Sequence, residues 1–186
     1  MSIGIILTAL LESLVKFGMN SLIGALIKTL MRQQRYCGIF MSMVKCRMVF
    51  RLVVAGCRDF HHKSVKNFNV VKVALTSILS SKVRDGYKIV IVSGCANGAD
   101  KLGELFAKDN KYEILRFPAN WEAHGVSAGI VRNEKMAEIS DAVVVFWDGK
   151  STGTKNMIQN ANKYGLPIRA FDFNGKRHKE WEAIVF

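Results

Sequence analysis

Residues able to grip an oxyanion concentrate in two short stretches of the chain, SGCANGAD (Ser93 to Asp100) and FWDGKSTGT (Phe146 to Thr154). Glycine allows positive φ and close approach of the backbone to a ligand. A helix that follows directly points free N–H groups and its positive end at an anion. Gly94, Gly98 and a helix start near Ala99 meet this description, as do Gly149, Gly153 and a helix start near Thr154. The hydroxyls of Ser93, Ser151, Thr152 and Thr154 add donors, and Lys150 adds charge. The chemistry these residues suit is phosphate binding. Such turns also occur without a ligand, where Ser and Thr merely cap helices. Convergence of several turns on one sheet edge is what favours a site.

Two common phosphate loops are excluded. GKST at Gly149 to Thr152 lacks the upstream glycine of a Walker A loop, because position 144 is Val. SGCANGAD has the wrong first spacing for G-x-G-x-x-G. Neither a P-loop NTPase nor an ordinary dinucleotide dehydrogenase follows.

Single residues nearby carry two readings each. Arg132 can pair bidentately with a phosphate, or it is a surface cation near Glu134 or Glu138. Asn133 is a ligand contact or the N-cap of a helix. Asp100, the candidate catalytic residue, can bind a ribose hydroxyl or a metal, or it is a first-turn carboxylate favoured by the helix dipole. Asp148 has the same ambiguity. Trp121 can stack on a base or pack, and Trp147 belongs to the core or its rim. His61, His62, His124 and His178 lack the partners of a nucleophilic triad. Cys57 and Cys95 fall in two of the ligand-side turns, where small buried residues are the expectation and a reactive thiol the alternative. No metal site and no cofactor are expected.

The elements that must position these residues alternate. FRLVVAG (from Phe50), KIVIVSG (from Lys88), YEILRFP (from Tyr112), DAVVVFWDG (from Asp141) and LPIRAFDF (from Leu166) are strand candidates. Helical spacing lies between them at Val70 to Leu79, in GADKLGELFAKDN and in TKNMIQNANKY. Strands alternating with helices predict an α/β fold with parallel βαβ units, and near-continuous apolar runs predict strands covered on both faces. In such a sheet, ligands bind beyond the carboxyl ends of the strands. The punctuating turns AGCRDF, SGCANGAD and FWDGKSTGT fall at those ends.

Residues 1–47 read differently and form a hydrophobic, partly helical N-terminal extension ahead of a domain over 48–186. Leu7, Leu10, Leu14 and Phe17 share one helical face, and Glu12 and Lys16 form an i,i+4 pair on the other. The uncharged stretches 1–11 and 17–27 are too short to span a bilayer unaided. An interfacial amphipathic helix, a tilted membrane anchor and an upstream extension absent from the working protein are the competing readings. The last is favoured, because Met41, Met43 and Met48 are alternative starts and Met48 directly precedes the first strand. The net charge of +12 over 186 residues favours anionic partners but is spread along the chain, so it points only weakly to nucleic acid. The basic tail NGKRHKEW reads as a solvated charge run. The four cysteines form no C-x-x-C pair, which suggests reduced thiols and a cytoplasmic setting, membrane-associated only if residues 1–47 act as an anchor.

SGCANGAD together with NWEAHGVSAGIVRNEKMAEISDAVVVFWDGKSTGTKNMI resembles the SLOG superfamily of Rossmann-like proteins, in its YspA or cpYpsA-related branch of bacteria and phages. The resemblance covers about residues 48–173. It implies a Rossmann-like three-layer sandwich with a mainly parallel sheet of about five strands, and a nucleotide or nucleotide-derived ligand. It assigns Gly94, Gly98, Ala99 and Asp100 to a first phosphate-side loop, and Gly149, Lys150, Ser151, Gly153 and Thr154 to a second. Trp121, Gly125, Gly129, Arg132 and Asn133 form a lip between them, and Arg58 and Asp59 follow the first strand. Related phosphoribohydrolases carry Gly-Gly-x-Gly-Thr-x-x-Glu in the second loop. Gly153 and Thr154 match the Gly-Thr, but the catalytic Glu position falls on Met157. The expected function is nucleotide binding, as a sensor or an enzyme of unknown chemistry. Nucleotide N-glycoside hydrolysis and DNA binding are the alternatives, and a homodimer is possible because related proteins often pair.

Overall fold

The structure, a computed structural model, describes residues 48–182. The extension expected over 1–47 lies outside the described residues. Five strands form one sheet: β1 (Val49–Gly56), β2 (Lys88–Ser93), β3 (Glu113–Arg116), β4 (Ala142–Phe146) and β5 (Ile168–Phe171). Their spatial order is β3-β2-β1-β4-β5, and every neighbouring pair is parallel. The helices are α1 (Val65–Arg84), α2 (Ala99–Asp109), α3 (Trp121–His124), α4 (Ala128–Glu138), α5 (Thr152–Lys163) and α6 (Lys179–Glu182), with a 3-10 turn at Gly125–Ser127.

Alternation along β1 explains the layers. Leu52 and Val54 face one side, with Ile89, Ile91, Val144 and Phe146, and meet Val71, Leu75 and Leu79 of α1 and Leu102 and Phe106 of α2. Val53 and Ala55 face the other side and meet Met136 and Ala137 of α4 and Met157, Ile158 and Ala161 of α5. Because successive side chains of a strand point to opposite faces, a strand covered on both must be apolar throughout. All five residues of β4 are buried accordingly. The result is the Rossmann-like sandwich, with helices on both sides of a parallel sheet.

The chain runs outward from β1 to β2 and β3, then returns to the far side of β1 for β4 and β5. The reversal puts a topological switch point between β1 and β4, beyond whose carboxyl ends a crevice opens in this class of sheet. The turns after β1, β2 and β4 therefore share one edge. Beneath the turn after β4 lies the hairpin that ends in α6. Trp181 packs edge-on against Trp147 at 5.2 Å between ring centroids and stacks on His178 at 4.0 Å.

Among the described residues, no helix is long and apolar enough to cross a membrane.

Candidate functional site

The first glycine turn is built around a carboxylate. The Gly94 N–H donates to Oδ2 of Asp100 at 3.0 Å, and the Ala96 N–H donates to the same oxygen at 3.4 Å. These amides, expected from the sequence to face a ligand, are served by the protein's own side chain. Cys95 sits at φ 61°, the left-handed region uncommon for a residue with a Cβ, and its N–H donates to Ser93 Oγ at 3.1 Å. Ser93 is fully buried and donates in turn to Glu104 at 2.9 Å. Glu104 also accepts from Lys101 and from two nitrogens of Arg116. Burial alone would raise its pKa, but Ser93, Lys101 and Arg116 together hold it below the usual carboxylate value. The sequence reading missed this cluster, whose only linear signal is the i,i+3 pair Lys101–Glu104.

The glycines of this turn serve intramolecular contacts. A Cβ on Gly94 would overlap the guanidinium of Arg132. A Cβ on Gly98 would overlap the carbonyl oxygen of Cys57, and φ is 87° there. Gly98 thus lets the start of α2 press on the turn after β1, which presents Arg58 and Asp59 to solvent. The helix begins at Ala99, as its pattern predicts, and no side chain caps it.

The second turn is organised by Asp148. Its Oδ1 accepts the N–H groups of Lys150 and Ser151, each at 2.8 Å, and faces the Cys57 thiol at 3.3 Å. Burial pushes against ionisation, yet the two amide bonds hold Asp148 below the usual carboxylate range. Ser151 is the N-cap of α5, accepting from the Thr154 N–H at 3.5 Å, and its carbonyl takes the Trp147 indole N–H at 2.9 Å. Helix α5 starts at Thr152 rather than near Thr154. Gly149 lies at φ 76°, with the Trp181 ring 3.7 Å from the position a Cβ would take. Gly149, Lys150, Thr152 and Gly153 are exposed, Ser151 is half-buried and Thr154 is buried. The Cys57 thiol lies 3.8 Å from Thr154 Oγ1. Burial first, and then the neighbouring Asp148 carboxylate, push its pKa up to about 11. This agrees with the expectation of a small buried residue over that of a reactive thiol.

Helix α4 joins the two turns. Arg132 donates from Nη1 to the Gly94 carbonyl and lies 3.7 Å from Asp100 Oδ2. Asn133 donates from Nδ2 to the Gly153 carbonyl at 3.1 Å and to Asn156 Oδ1 at 3.0 Å. Of the expected surface partners of Arg132, Glu134 pairs with Lys163 instead. Asn133 is not a helix cap either, because α4 begins five residues earlier. Asp100 is 3% exposed. Burial pushes its pKa up to about 6 against the opposing pull of Arg132 and of the Ala96 and Gly94 amides. Among the described residues, the buried side-chain polar atom without a hydrogen-bond partner is Nε of Arg132.

Outside this junction, Trp121 is 53% exposed on α3 and lines a hollow of about 440 Å³ with Pro118, Ala119, Asn120 and Glu122. A Cβ on Gly125 or on Gly129, along the same lip, would meet open space. A larger hollow, about 860 Å³, lies between α1 and β5 and is lined by none of the candidate ligand-binding residues, though Asn174, Gly175 and Arg177 of the basic tail contribute to it. No group of three side chains able to hold a metal occurs among the described residues.

Comparison with known proteins identifies the family and the fold. The model of the YspA, cpYpsA-related SLOG family matches residues 50–124, which include the first glycine turn and stop short of Arg132 and the second. The Gene 61 protein of Mycobacterium phage D29 is 34% identical over 94 residues, covering 47% of this chain and 75% of the relative. The X-ray structure of DNA processing protein A from Streptococcus pneumoniae superposes with a TM-score of 0.50 at 18% identity, over 67% of this chain and 50% of that one. This chain thus spans about half the length of that structure, and the likeness is one of fold. With the family's model matched over residues 50–124, a relative 34% identical and covered to 75%, and an all-parallel sheet, the chain belongs to the YspA, cpYpsA-related SLOG family.

Proposed function

We propose that the carboxyl edge of the sheet binds a nucleotide or a nucleotide-derived ligand through its phosphate. The observation that carries this reading is the junction at Arg132 and Asn133, where consecutive residues of one helix hold the two glycine turns together, with one buried guanidinium nitrogen left without an acceptor. Buried polar groups are nearly always paired, and an orphan among them is an invitation to a ligand atom or water. Arg132 supplies the central cation. Lys150 and Arg58, both exposed, supply outer charge, and Ser151, Thr152 and the uncapped first turn of α2 supply further donors. Trp121 offers an exposed ring on which a base can stack.

Binding is favoured over N-glycoside hydrolysis. Met157 occupies the position where the resemblance puts the glutamate of the phosphoribohydrolases, and it is fully buried in the core. A thioether has no proton to exchange. Calorimetry of the full chain against a panel of nucleoside mono-, di- and triphosphates is the test. Binding by at least one member is expected, and its loss in Arg132→Ala locates the site. Silence across the panel overturns the reading.

A second reading rests on the exposed cations Arg58, Lys63, Lys150 and Lys155 in or beside the turns of the same edge. They suit a nucleic-acid backbone. Retardation of single-stranded DNA that weakens steeply with salt supports it, and salt-independent or absent retardation counts against it.

A further inference from the structure

One oxygen of Asp100 faces more donors than it can serve well. Oδ2 takes the Gly94 amide at 3.0 Å and the Ala96 amide at 3.4 Å, and it lies 3.7 Å from the Arg132 guanidinium. Only the first distance is that of a good N–H···O bond. Arg132 has in addition the unpartnered Nε and spends Nη1 on a backbone carbonyl. Donors exceed acceptors at this point. A tetrahedral oxyanion offers three or four oxygens, whereas a carboxylate offers two, and a single one, Oδ2, takes both the Gly94 and the Ala96 amide. The subsite lies just below the surface, under half-buried Cys95 and Ala96 and exposed Asn97.

We infer that Asp100 is a resident anion in the subsite formed by the Gly94 and Ala96 amides and Arg132, and that a phosphate or sulfate group of a ligand exchanges for it. Asp100 then sets the charge that the site accepts: while ionised it repels the incoming anion and occupies its donors, and once protonated it repels nothing and holds them weakly. This rests on the phosphate-binding reading and adds the exchange partner. The raised pKa of Asp100, about 6, agrees with a carboxylate held in an unfavourable place. Charged groups around it are Arg132 from α4 and, on its own helix, Lys101 and Glu104, which pair with each other. The turn after β1, against which Gly98 packs, brings Arg58 and, farther along, His61 and His62.

The test uses the full chain labelled with ¹⁵N and inorganic sulfate as probe, because the charge of sulfate is constant above pH 4. In the wild type, sulfate shifts the Gly94 and Ala96 amide resonances, and its affinity falls about tenfold from pH 5 to pH 7, the change that a competing group titrating near pH 6 imposes. Asp100→Asn keeps an acceptor for the amides and removes the charge. It is expected to bind sulfate at pH 7 about tenfold more tightly than the wild type, with the pH dependence largely gone. The same amides, observed without sulfate, are expected to titrate in the wild type, a readout that needs neither ligand nor variant, and to lose that dependence in Asp100→Asn. Asp100→Asn binding sulfate no better than the wild type, or wild-type amides that do not titrate between pH 5 and 7, overturns the inference. If either result accompanies wild-type binding of a nucleoside phosphate, the inference falls alone. If neither protein binds sulfate or any nucleoside phosphate, the phosphate-binding reading falls and takes the inference with it.

Discussion

Arg132 and Asn133 are neighbours on one helix and hold different loops, Arg132 the carbonyl of Gly94 and Asn133 the carbonyl of Gly153. Side chains one residue apart on a helix diverge by about 100°, so α4 reaches both glycine turns at once. Replacing Asn133 by Ala removes the bonds to Gly153 and Asn156. The expected cost is about 1–2 kcal/mol of stability, measured by urea unfolding. A weaker nucleoside-phosphate affinity, with the Gly94 and Ala96 resonances unmoved, would show that only the second turn has been released.

Removing Arg132 strands Asp100. Arg132→Ala leaves a buried carboxylate with amide partners alone, which raises its pKa beyond the value near 6. A folded-state pKa above the unfolded one means that the folded protein binds the proton more tightly. The penalty for ionised Asp100 is therefore full above the folded pKa and fades as pH falls through it. The destabilisation by Arg132→Ala is expected to be larger at pH 7.5 than at pH 5.5, by about 1–2 kcal/mol. Denaturation at both pH values checks this, and equal losses at both contradict it. Arg132→Lys is expected to rescue little, because a single ammonium cannot serve the Gly94 carbonyl and face Asp100 in the planar fork that guanidinium provides.

Gly98 and Gly153 make opposite demands. Alanine at Gly98 meets the Cys57 carbonyl in a left-handed conformation, and a loss of about 2–4 kcal/mol is expected from the strain and the overlap. Alanine at Gly153 meets open space in the first turn of α5. Stability there should hold or rise by up to about 1 kcal/mol. Reduced nucleoside-phosphate affinity in Gly153→Ala with an unchanged melting temperature would report a ligand close to that backbone.

Alkylation tests the interior of the crevice. With its pKa pushed up to about 11, Cys57 carries little thiolate at pH 8. Peptide mapping after iodoacetamide treatment of the folded protein should find Cys57 unmodified, and modification only after denaturant is added. Fast labelling in the native state would contradict the packing of Cys57 against Asp148 and Thr154.

The sheet was legible because its signals are local and redundant. Five apolar runs, separated by helical spacing and ended by Gly, leave few alternatives to parallel βαβ units. Strand ends were less so: the third strand covers only Glu113–Arg116, although the Phe117 amide still bonds the Ser93 carbonyl at the end of β2. The roles of the glycines were harder to read. Gly94 makes room for Arg132, 38 residues further on, and Gly98 for the carbonyl of Cys57. Sequence reveals that a Cβ is unwelcome, and only the packed structure reveals whose atoms exclude it. The same holds for Asp100 and Asp148, whose first-turn and loop positions suggested caps or ligands, while their Oδ atoms close on amides up to six residues away. Asn133 was misplaced as a possible cap because the 3-10 turn at Gly125–Ser127 moves the start of the helix upstream.

The aromatic hairpin beneath the second turn ties a distant part of the polypeptide to the business edge. Trp181 props Gly149 and braces Trp147, whose indole holds the Ser151 carbonyl. A chain cut after Phe173 would lose the buttress together with the Glu182 carboxylate and the His178 amide that bond Ala170 of β5, leaving the Lys150 corner without a floor and the edge strand without its flank.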